Sequence, residues 1–214
     1  DWSSDVCSSD LMNWMKKVAV ALVCLLPLGL QAAKIDTLQV KSPSMNKSIE
    51  VVVVSPDVAA TKACPVIYLL HGYGGNACTW VGIKPDLPKI ADEKGIFFVC
   101  PDGKNTWYWD SPLNADVRYE TFISNELVKY VDSHYKTVAD RKGRAITGLS
   151  MGGHGAMWNG LRHSDVFSAA GSTSGGVDIR PFPKNWEMSV QIGEKAKYPE
   201  NWEKIGRASC RERV

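Results

Sequence analysis

The sequence predicts an α/β fold in which a mostly parallel sheet carries helices on both faces. Predicted strands and helices alternate over residues 66–172, and this alternation is typical of parallel strands joined by crossover helices. The strand predicted at 66–70 is a continuous apolar run that ends in His-Gly, which favours a position inside such a sheet. The strand predicted at 145–149 runs into a Gly-rich turn and then into a helical segment.

The other elements are predicted from periodicity and turn residues. Over 121–134 the apolar residues Phe122, Leu127, Val128 and Val131 share one helical face. The full set comprises strands at 35–40, 49–54, 66–70, 96–100 and 145–149, a weak strand at 167–172, and helices at 87–93, 121–134 and 152–162. After Gly175 the chain is rich in Pro, Gly and Trp, and no element is predicted there.

Composition and charge exclude several classes of protein. The 214 residues are 44% hydrophobic and 22% charged, which is ordinary for one globular domain and excludes disordered and collagen-like chains. The net charge of +2 gives no basic footprint for nucleic acid. No apolar run reaches the roughly 18 residues of a membrane span. No cluster has metal-ligand spacing, so we expect neither a metal nor another cofactor.

The two ends differ in pattern from the rest of the chain. Residues 1–11 and 205–214 lack apolar periodicity and resemble translated adapters of sequencing libraries, so both are predicted to be non-native. Residues 12–33 combine two lysines, an apolar run and a Gln-Ala-Ala end, which is typical of a cleaved signal peptide; the alternative is a buried N-terminal helix. Residues 34–204 are then expected to be a partial domain, truncated before its last strands, of a secreted or periplasmic protein.

The cysteine count does not indicate a disulfide framework. Of six cysteines, only Cys64, Cys78 and Cys100 lie in the predicted domain, and an odd, sparse set is not a scaffold. Cys64 and Cys100 adjoin predicted strands, which favours buried free thiols. One bridge in an oxidising compartment is the alternative.

The segment Gly148-Leu149-Ser150-Met151-Gly152 matches G-x-S-x-G between a predicted strand and a predicted helix. This context is that of a nucleophile elbow, in which a sharp turn raises the serine hydroxyl above the sheet edge. The flanking glycines are needed because side chains there would clash, and the helix N-terminus favours developing negative charge. Ser150 is therefore the predicted nucleophile, with a plain Gly-rich turn as the alternative.

A second Gly-rich segment, residues 71–75, directly follows the strand predicted at 66–70. In hydrolases with a nucleophile elbow, the loop at this place supplies one backbone N–H to the oxyanion hole, and the residue after the nucleophile supplies the other. This assigns the donors to Tyr73 and Met151. A phosphate-binding loop is the alternative, but the segment lacks the Lys-Ser/Thr ending of such loops.

Five segments together resemble one family. They read LLHGYGGN, VCPDG, NTWYWDSP, RYETFISNEL and GLSMGGHGA, and over residues 35–176 the chain is similar to the Putative esterase family of α/β-hydrolases. That family includes S-formylglutathione hydrolases, tributyrin esterases, feruloyl and acetyl-xylan esterases, and mycolyltransferases. The resemblance implies an α/β-hydrolase fold and an acyl-enzyme on Ser150. It also implies a triad Asp or Glu and then a His, each well beyond the serine in the chain.

The chain departs from the family in its catalytic base. His163 lies 13 residues beyond Ser150, roughly 20 Å away along a continuous helix. His154 lies one turn into the helix and is expected to flank the site, while His71 is expected to brace its own loop. No residue fits the triad acid, Asp165 and Asp178 included. The acid and the histidine of the triad are therefore predicted to be missing from this chain.

An aromatic segment, Trp107-Tyr108-Trp109, is predicted to form a wall of the substrate cleft together with His154. Packing of a polar turn is the alternative interpretation. Arg118 and Glu120 are expected to brace this segment or to be solvated charges at a helix start.

The expected function is that of a secreted serine carboxylic-ester hydrolase. Its substrates would be acyl or feruloyl esters of polysaccharide, or short-chain esters, with no nucleic-acid partner and no membrane anchor. S-formylglutathione hydrolysis, acyl transfer and a non-catalytic binding role remain open. The chain itself is expected to be inactive, because a serine without a base is a poor nucleophile. Neither the acyl group nor the oligomeric state follows from the sequence.

Overall fold

The computed structural model describes residues 33–205, which form one mixed six-stranded sheet. The predicted signal peptide and non-native ends lie outside these residues, apart from Ala33 and Ile205. The strands are β1 (Lys34–Ser42), β2 (Lys47–Ser55), β3 (Val66–Leu70), β4 (Phe97–Pro101), β5 (Arg144–Gly148) and β6 (Ala169–Ala170). Their spatial order is β1-β2-β4-β3-β5-β6. The first three strands in this order pair antiparallel and the remaining pairs are parallel.

Helices cover both faces of this sheet. They are α1 (Thr79–Ile83), α2 (Leu87–Lys94), α3 (Tyr119–Thr121, a π-helical turn Phe122–Glu126, then Leu127–His134), α4 (Met151–Arg162), α5 (Met188–Ile192) and α6 (Pro199–Ile205). Short 3₁₀ turns lie at Asp57–Ala60 and Arg141–Gly143. The predicted α/β-hydrolase fold class is confirmed.

The core consists of two apolar clusters, one on each face of the sheet. Because successive strand residues point to opposite faces, Val51 and Val53 of β2 lie in the larger cluster and Val52 and Val54 lie in the smaller one. Helices α3 and α4 pack in the larger cluster, and α2 packs in the smaller. This double burial accounts for the unbroken valine run in the sequence.

The parallel strands direct three chain segments to one sheet edge. The carboxyl ends of β3, β4 and β5 lead into residues 71–75, into residues 102–103 and into Ser150. Ligand sites in open α/β sheets form at this edge. The sheet thus brings the two Gly-rich motifs together, although they lie more than seventy residues apart in the sequence.

Several elements differ from the sequence predictions. The weak strand predicted at 167–172 is only Ala169–Ala170, an exposed edge strand. Helices α1, α5 and α6 were not predicted, and Ile205, assigned to the non-native end, is buried as the last residue of α6. Over residues 33–205, no helix is long and apolar enough to cross a bilayer.

Candidate active site

Ser150 lies at a sharp turn between β5 and α4, with φ 54° and ψ −115°. A positive φ is costly for a serine and persists only where the surroundings enforce it. Here the Ser150 N–H donates to Thr173 O at 2.8 Å, and the Gly152 N–H donates to Leu149 O at 2.8 Å. The side chain is exposed at the sheet edge. This is the geometry of the predicted nucleophile elbow.

The two glycines that flank the elbow have no room for a side chain. A Cβ on Gly148 would lie 2.3 Å from Gly152 O, and a Cβ on Gly152 would lie 2.2 Å from Leu70 O. Real Cβ atoms do not approach a backbone atom so closely. The motif therefore requires glycine at both positions because strand β3, the elbow and helix α4 approach each other at this point.

The loop of residues 71–75, here called the oxyanion loop, lies beside Ser150. A Cβ built on Gly72 would be 3.6 Å from Ser150 Cβ. The loop is closed by a bond from Gly75 N–H to Gly72 O at 3.0 Å. Asn105 Oδ1 accepts from Gly74 N–H at 2.9 Å. Within residues 33–205, the backbone N–H groups of Tyr73 and Met151 have no protein acceptor.

His71 braces this loop, as predicted. Its Nδ1–H donates to Gly72 O at 2.7 Å, and its Nε2 accepts from Gly103 N–H at 2.9 Å. Asp102 Oδ1 lies 3.5 Å from the same Nε2, but Nε2 already serves as an acceptor. His71 and Asp102 therefore form a structural contact behind the loop.

A cleft of about 430 Å³ opens above Ser150. Its walls carry Tyr73, Trp107, Met151, Ser174, Gly175, Gly176, Asp178, Ile179, Phe182 and Trp186. The Trp186 and Phe182 rings are 48% and 47% exposed, and their centroids lie 6.0 Å apart. The centroids of Trp107 and Trp186 are 6.2 Å apart. The cleft thus has one aromatic wall beside the serine.

The structure places only Trp107 of the four predicted wall residues in the cleft. Tyr108, Trp109 and His154 are fully buried and lie behind Trp107. The rings of Trp107 and Trp109 stack at 5.5 Å, and Tyr108 Oη donates to His71 O at 3.1 Å. These three residues therefore support the wall and do not present a surface to substrate.

His154 has both ring nitrogens engaged. Its Nε2 accepts from Trp109 Nε1 at 3.1 Å, and its Nδ1 contacts Gly176 O. Burial lowers the pKa of His154 to about 4, against the raising effect of the hydrogen bond with Gly176. Its lone pair is committed to Trp109, so His154 is not placed to take a proton from Ser150.

The other two histidines are bonded elsewhere. His163 Nε2 lies 2.9 Å from Glu120 Oε1, and His134 stacks on Tyr130 with 3.9 Å between centroids. All four histidines of the sequence lie within the described residues, and none of their hydrogen bonds involves Ser150.

The cleft carboxylate Asp178 does not meet a histidine. It holds Arg180 with two bonds, from Nε to Oδ1 at 2.8 Å and from Nη2 to Oδ2 at 2.6 Å. Arg180 Nη1 also donates to Glu203 Oε2 at 2.6 Å. Asp178 is thus one partner of an ion-pair network at the edge of the cleft.

Glu120 forms a buried polar centre behind the aromatic wall. It is only 9% exposed, so its interpretation as a solvated charge is wrong. Its carboxylate accepts from Trp158 Nε1 at 2.8 Å and from Arg162 Nε at 2.9 Å, beside the contact with His163. Burial raises the pKa of Glu120, but these hydrogen bonds outweigh it and lower the pKa to about 2. Arg118 braces the loop as predicted, because its Nη1 donates to Ser111 O at 2.9 Å.

The three described cysteines are free. Cys64 and Cys100 are buried and Cys78 is exposed, so the prediction of buried free thiols is confirmed for two of them. Over residues 33–205, no group of three or more His, Cys, Asp or Glu side chains has an arrangement that could hold a metal ion.

Sequence reasoning missed several residues of the site. Phe182 and Trp186 lie in the segment after Gly175, where no element was predicted, although its density of aromatic residues was a signal. Asn105 stood in the NTWYWDSP segment without an assigned role. Its bond to the oxyanion loop spans 31 residues, which no local pattern reveals.

Comparisons with known proteins find similar sequences and similar structures. The Putative esterase family model matches residues 42–210. An esterase of Mycobacterium tuberculosis is 28% identical over 149 residues, which are 66% of this chain and 32% of that protein. The chain thus spans about a third of the length of this relative.

Two solved structures are similar over most of the chain. A ferulic acid esterase is 30% identical with a TM-score of 0.63, and the match covers 78% of this chain and 70% of the other. An S-formylglutathione hydrolase from Agrobacterium tumefaciens is 22% identical with a TM-score of 0.69, over 83% of this chain and 69% of the other. At that identity the second likeness shows the fold alone.

Proposed function

This chain belongs to the Putative esterase family, and we propose that it is a carboxylic-ester hydrolase in which Ser150 forms an acyl-enzyme. The observation that carries the proposal is the position of Ser150, exposed at a turn with φ 54° beside two backbone N–H groups without acceptors. A serine held in this way at a sheet edge suits attack on a carbonyl carbon.

In the proposed reaction, Ser150 Oγ attacks the ester carbonyl carbon while a general base takes its proton. The carbonyl oxygen becomes an oxyanion, which accepts from the Tyr73 and Met151 N–H groups. Each such donor contributes about 3 kcal/mol to lowering the barrier. The tetrahedral intermediate then expels the alcohol, and water releases the acid from the acyl-enzyme.

The general base is proposed to lie outside the 214 residues. All four histidines have other partners, and loss of a general base typically costs a factor of about 10²–10⁴ in rate. We therefore expect no appreciable turnover of p-nitrophenyl acetate by the purified chain. Turnover that disappears in Ser150→Ala would contradict this expectation and would require a base among the residues present.

Binding of a tetrahedral analogue tests the nucleophile without requiring turnover. Phenylboronic acid becomes tetrahedral when a serine oxygen adds to boron, and boron-11 NMR distinguishes this form from the trigonal one. We expect a tetrahedral adduct with the unsubstituted chain and with Ser174→Ala, which removes another exposed serine from the same cleft. We expect none with Ser150→Ala. An adduct that persists without Ser150 would overturn the assignment.

For the substrate, we propose acyl or feruloyl esters of polysaccharide, or short-chain esters. The aromatic wall of Trp107, Phe182 and Trp186 suits flat aryl groups and sugar rings, and one structural relative is a ferulic acid esterase. Secretion or export to the periplasm is part of this proposal and rests on the pattern of residues 12–33.

Two rival functions keep the same fold. An acyltransferase, or an S-formylglutathione hydrolase, would use the same serine and differ in the acceptor or the leaving group. A non-catalytic binding protein would use only the aromatic cleft. A tetrahedral adduct on Ser150 would disfavour the binding protein. Transfer of the acyl group to a sugar in preference to water would identify an acyltransferase, and preferential turnover of S-formylglutathione would identify the thioester hydrolase.

A further inference from the structure

The oxyanion loop has one anchor that comes from a distant part of the chain. Tyr73 Oη donates to Glu187 Oε2 at 2.7 Å, across 114 residues of sequence. The loop's other anchors, at His71 and Asn105, hold the backbone of Gly72 and Gly74. Within residues 33–205, the bond to Glu187 is the one that holds the Tyr73 side chain, while the peptide that carries the Tyr73 N–H is also held at Gly72 O by His71 and by Gly75 N–H.

The ring of Tyr73 has little else to hold it. It is 37% exposed and forms part of the cleft wall. Gly74 follows with φ 76°, a conformation that glycine adopts at no steric cost and that leaves the backbone free to turn. Fixing the Tyr73 side chain therefore adds a third constraint on the backbone of this residue, beside the hydrogen bonds at Gly72 O and at Gly74 N–H.

Glu187 offers a fixed partner. Trp186 and Glu187 both have left-handed backbone conformations, with φ 50° and 52°, which are costly for residues other than glycine and persist only where the surroundings enforce them. Helix α5 supplies it, since Met188 and Ile192 are fully buried. On the other side, Trp107 Nε1 donates to Trp186 O at 3.4 Å. The Glu187 carboxylate is thus held on a rigid segment at the rim of the cleft.

We propose that Glu187 is a positioning residue for the oxyanion hole, acting through its hydrogen bond with the Tyr73 hydroxyl. This inference rests on the proposed function, because it gives Glu187 a role in the same site. Glu187 holds the Tyr73 side chain and so, together with the bonds at Gly72 O, limits the motion of the Tyr73 N–H. The same bond raises the pKa of Tyr73, which keeps the hydroxyl protonated as the donor.

The affinity of the full 214-residue chain for phenylboronic acid tests this role. We expect Glu187→Ala and Tyr73→Phe each to weaken the tetrahedral adduct about tenfold, the size expected for a charge-assisted hydrogen bond. Glu187→Gln keeps an acceptor oxygen, and we expect its affinity for phenylboronic acid to fall only about threefold. The double variant Glu187→Ala with Tyr73→Phe should bind as the single variants do, because both remove one interaction. Glu194→Ala, an exposed glutamate of the same segment outside the cleft, is the matched control.

A second readout separates positioning from a general loss of structure. Amide hydrogen exchange at Gly74 and Gly75, whose N–H groups are bonded, should become about tenfold faster in Glu187→Ala but not in Glu187→Gln, while exchange in β3 and β5 stays unchanged. Unaltered affinity and unaltered exchange in Glu187→Ala would overturn the inference while the adduct on Ser150 stood. If the unsubstituted chain formed no adduct, the proposed function would fail, and the exchange comparison alone would then decide the role of Glu187.

Discussion

The buried, neutral His154 should make the fold lose stability as the pH falls below 6.5, well above the pH at which an ordinary carboxylate titrates. The imidazole is fully buried one turn beyond Ser150, and its Nε2 accepts from Trp109 Nε1 at 3.1 Å. A proton on Nε2 would set two N–H donors against each other. Since Nδ1 is already occupied by Gly176 O, the ring cannot turn to avoid this clash without losing a second bond.

The magnitude follows from the pKa of His154, which burial lowers from 6.5 to about 4. A lowering of this size corresponds to about 3 kcal/mol. Between pH 6.5 and pH 4 the unfolded chain binds a proton that the folded chain does not, so the free energy of unfolding falls as the pH falls. The loss is complete near pH 4, where the folded state also takes up the proton.

Urea unfolding followed by circular dichroism from pH 7.5 to pH 4 measures this effect. His154→Gln removes the titrating group and should be less stable at pH 7.5, because the glutamine does not reproduce both ring contacts. The difference in free energy of unfolding between the unsubstituted chain and His154→Gln should shrink by about 3 kcal/mol by pH 4. The other histidines are present in both proteins, so their titration does not contribute to this difference. A difference that does not change with pH, or an NMR titration of His154 near pH 6.5, would refute the reasoning.

Three further predictions concern the elements that hold the site. The pKa of Glu120 is lowered to about 2, so its ionised carboxylate stabilises the fold above pH 4.5 and this contribution is lost as the pH falls toward 2. In urea unfolding we expect Glu120→Gln to lower the free energy of unfolding by about 3 kcal/mol at pH 7, and by progressively less in acid. Gly152→Ala should abolish the boronate adduct and lower the melting temperature, because its Cβ would lie 2.2 Å from a backbone oxygen; a variant with unchanged adduct affinity would contradict this. Peptide mapping after brief alkylation should find Cys78 modified, and Cys64 and Cys100 modified only in denaturant.

The parts of the fold that sequence predicted are those whose signals are local. The apolar runs of β2, β3 and β4 reflect burial on both faces of the sheet, and Gly148 and Gly152 reflect a close approach of backbone that only glycine tolerates. Such features need no knowledge of distant residues. The elbow at Ser150 was therefore predictable from five consecutive residues and their flanking pattern.

The aromatic wall shows why other parts of the site were not predictable from local patterns. In a regular strand Trp107 and Trp109 would share one face, and no local pattern separates them. Positive φ values at Trp107 and Tyr108 (59° and 60°) break this alternation. All three aromatic residues are buried, but only Trp107 of the three borders the cleft. The short helix α5, with only five residues, likewise shows too little periodicity to be detected, although Met188 and Ile192 anchor it in the core.

The oxyanion loop depends on its local Gly-rich motif and also on contacts with distant residues. This limits what can be inferred from the motif alone. Five residues with three glycines suffice to form the turn, but Asn105 and Glu187, which lie 31 and 114 residues from their partners, also hold it in place. A chain could keep the motif and lose these contacts, and it would then present a mobile N–H to the oxyanion. Since preorganised donors stabilise an oxyanion because they need no reorientation during the reaction, the motif alone does not establish a working site. The distant anchors therefore decide whether Ser150 faces a rigid oxyanion hole, and for this reason substitution of Glu187 is more informative than substitution within the motif.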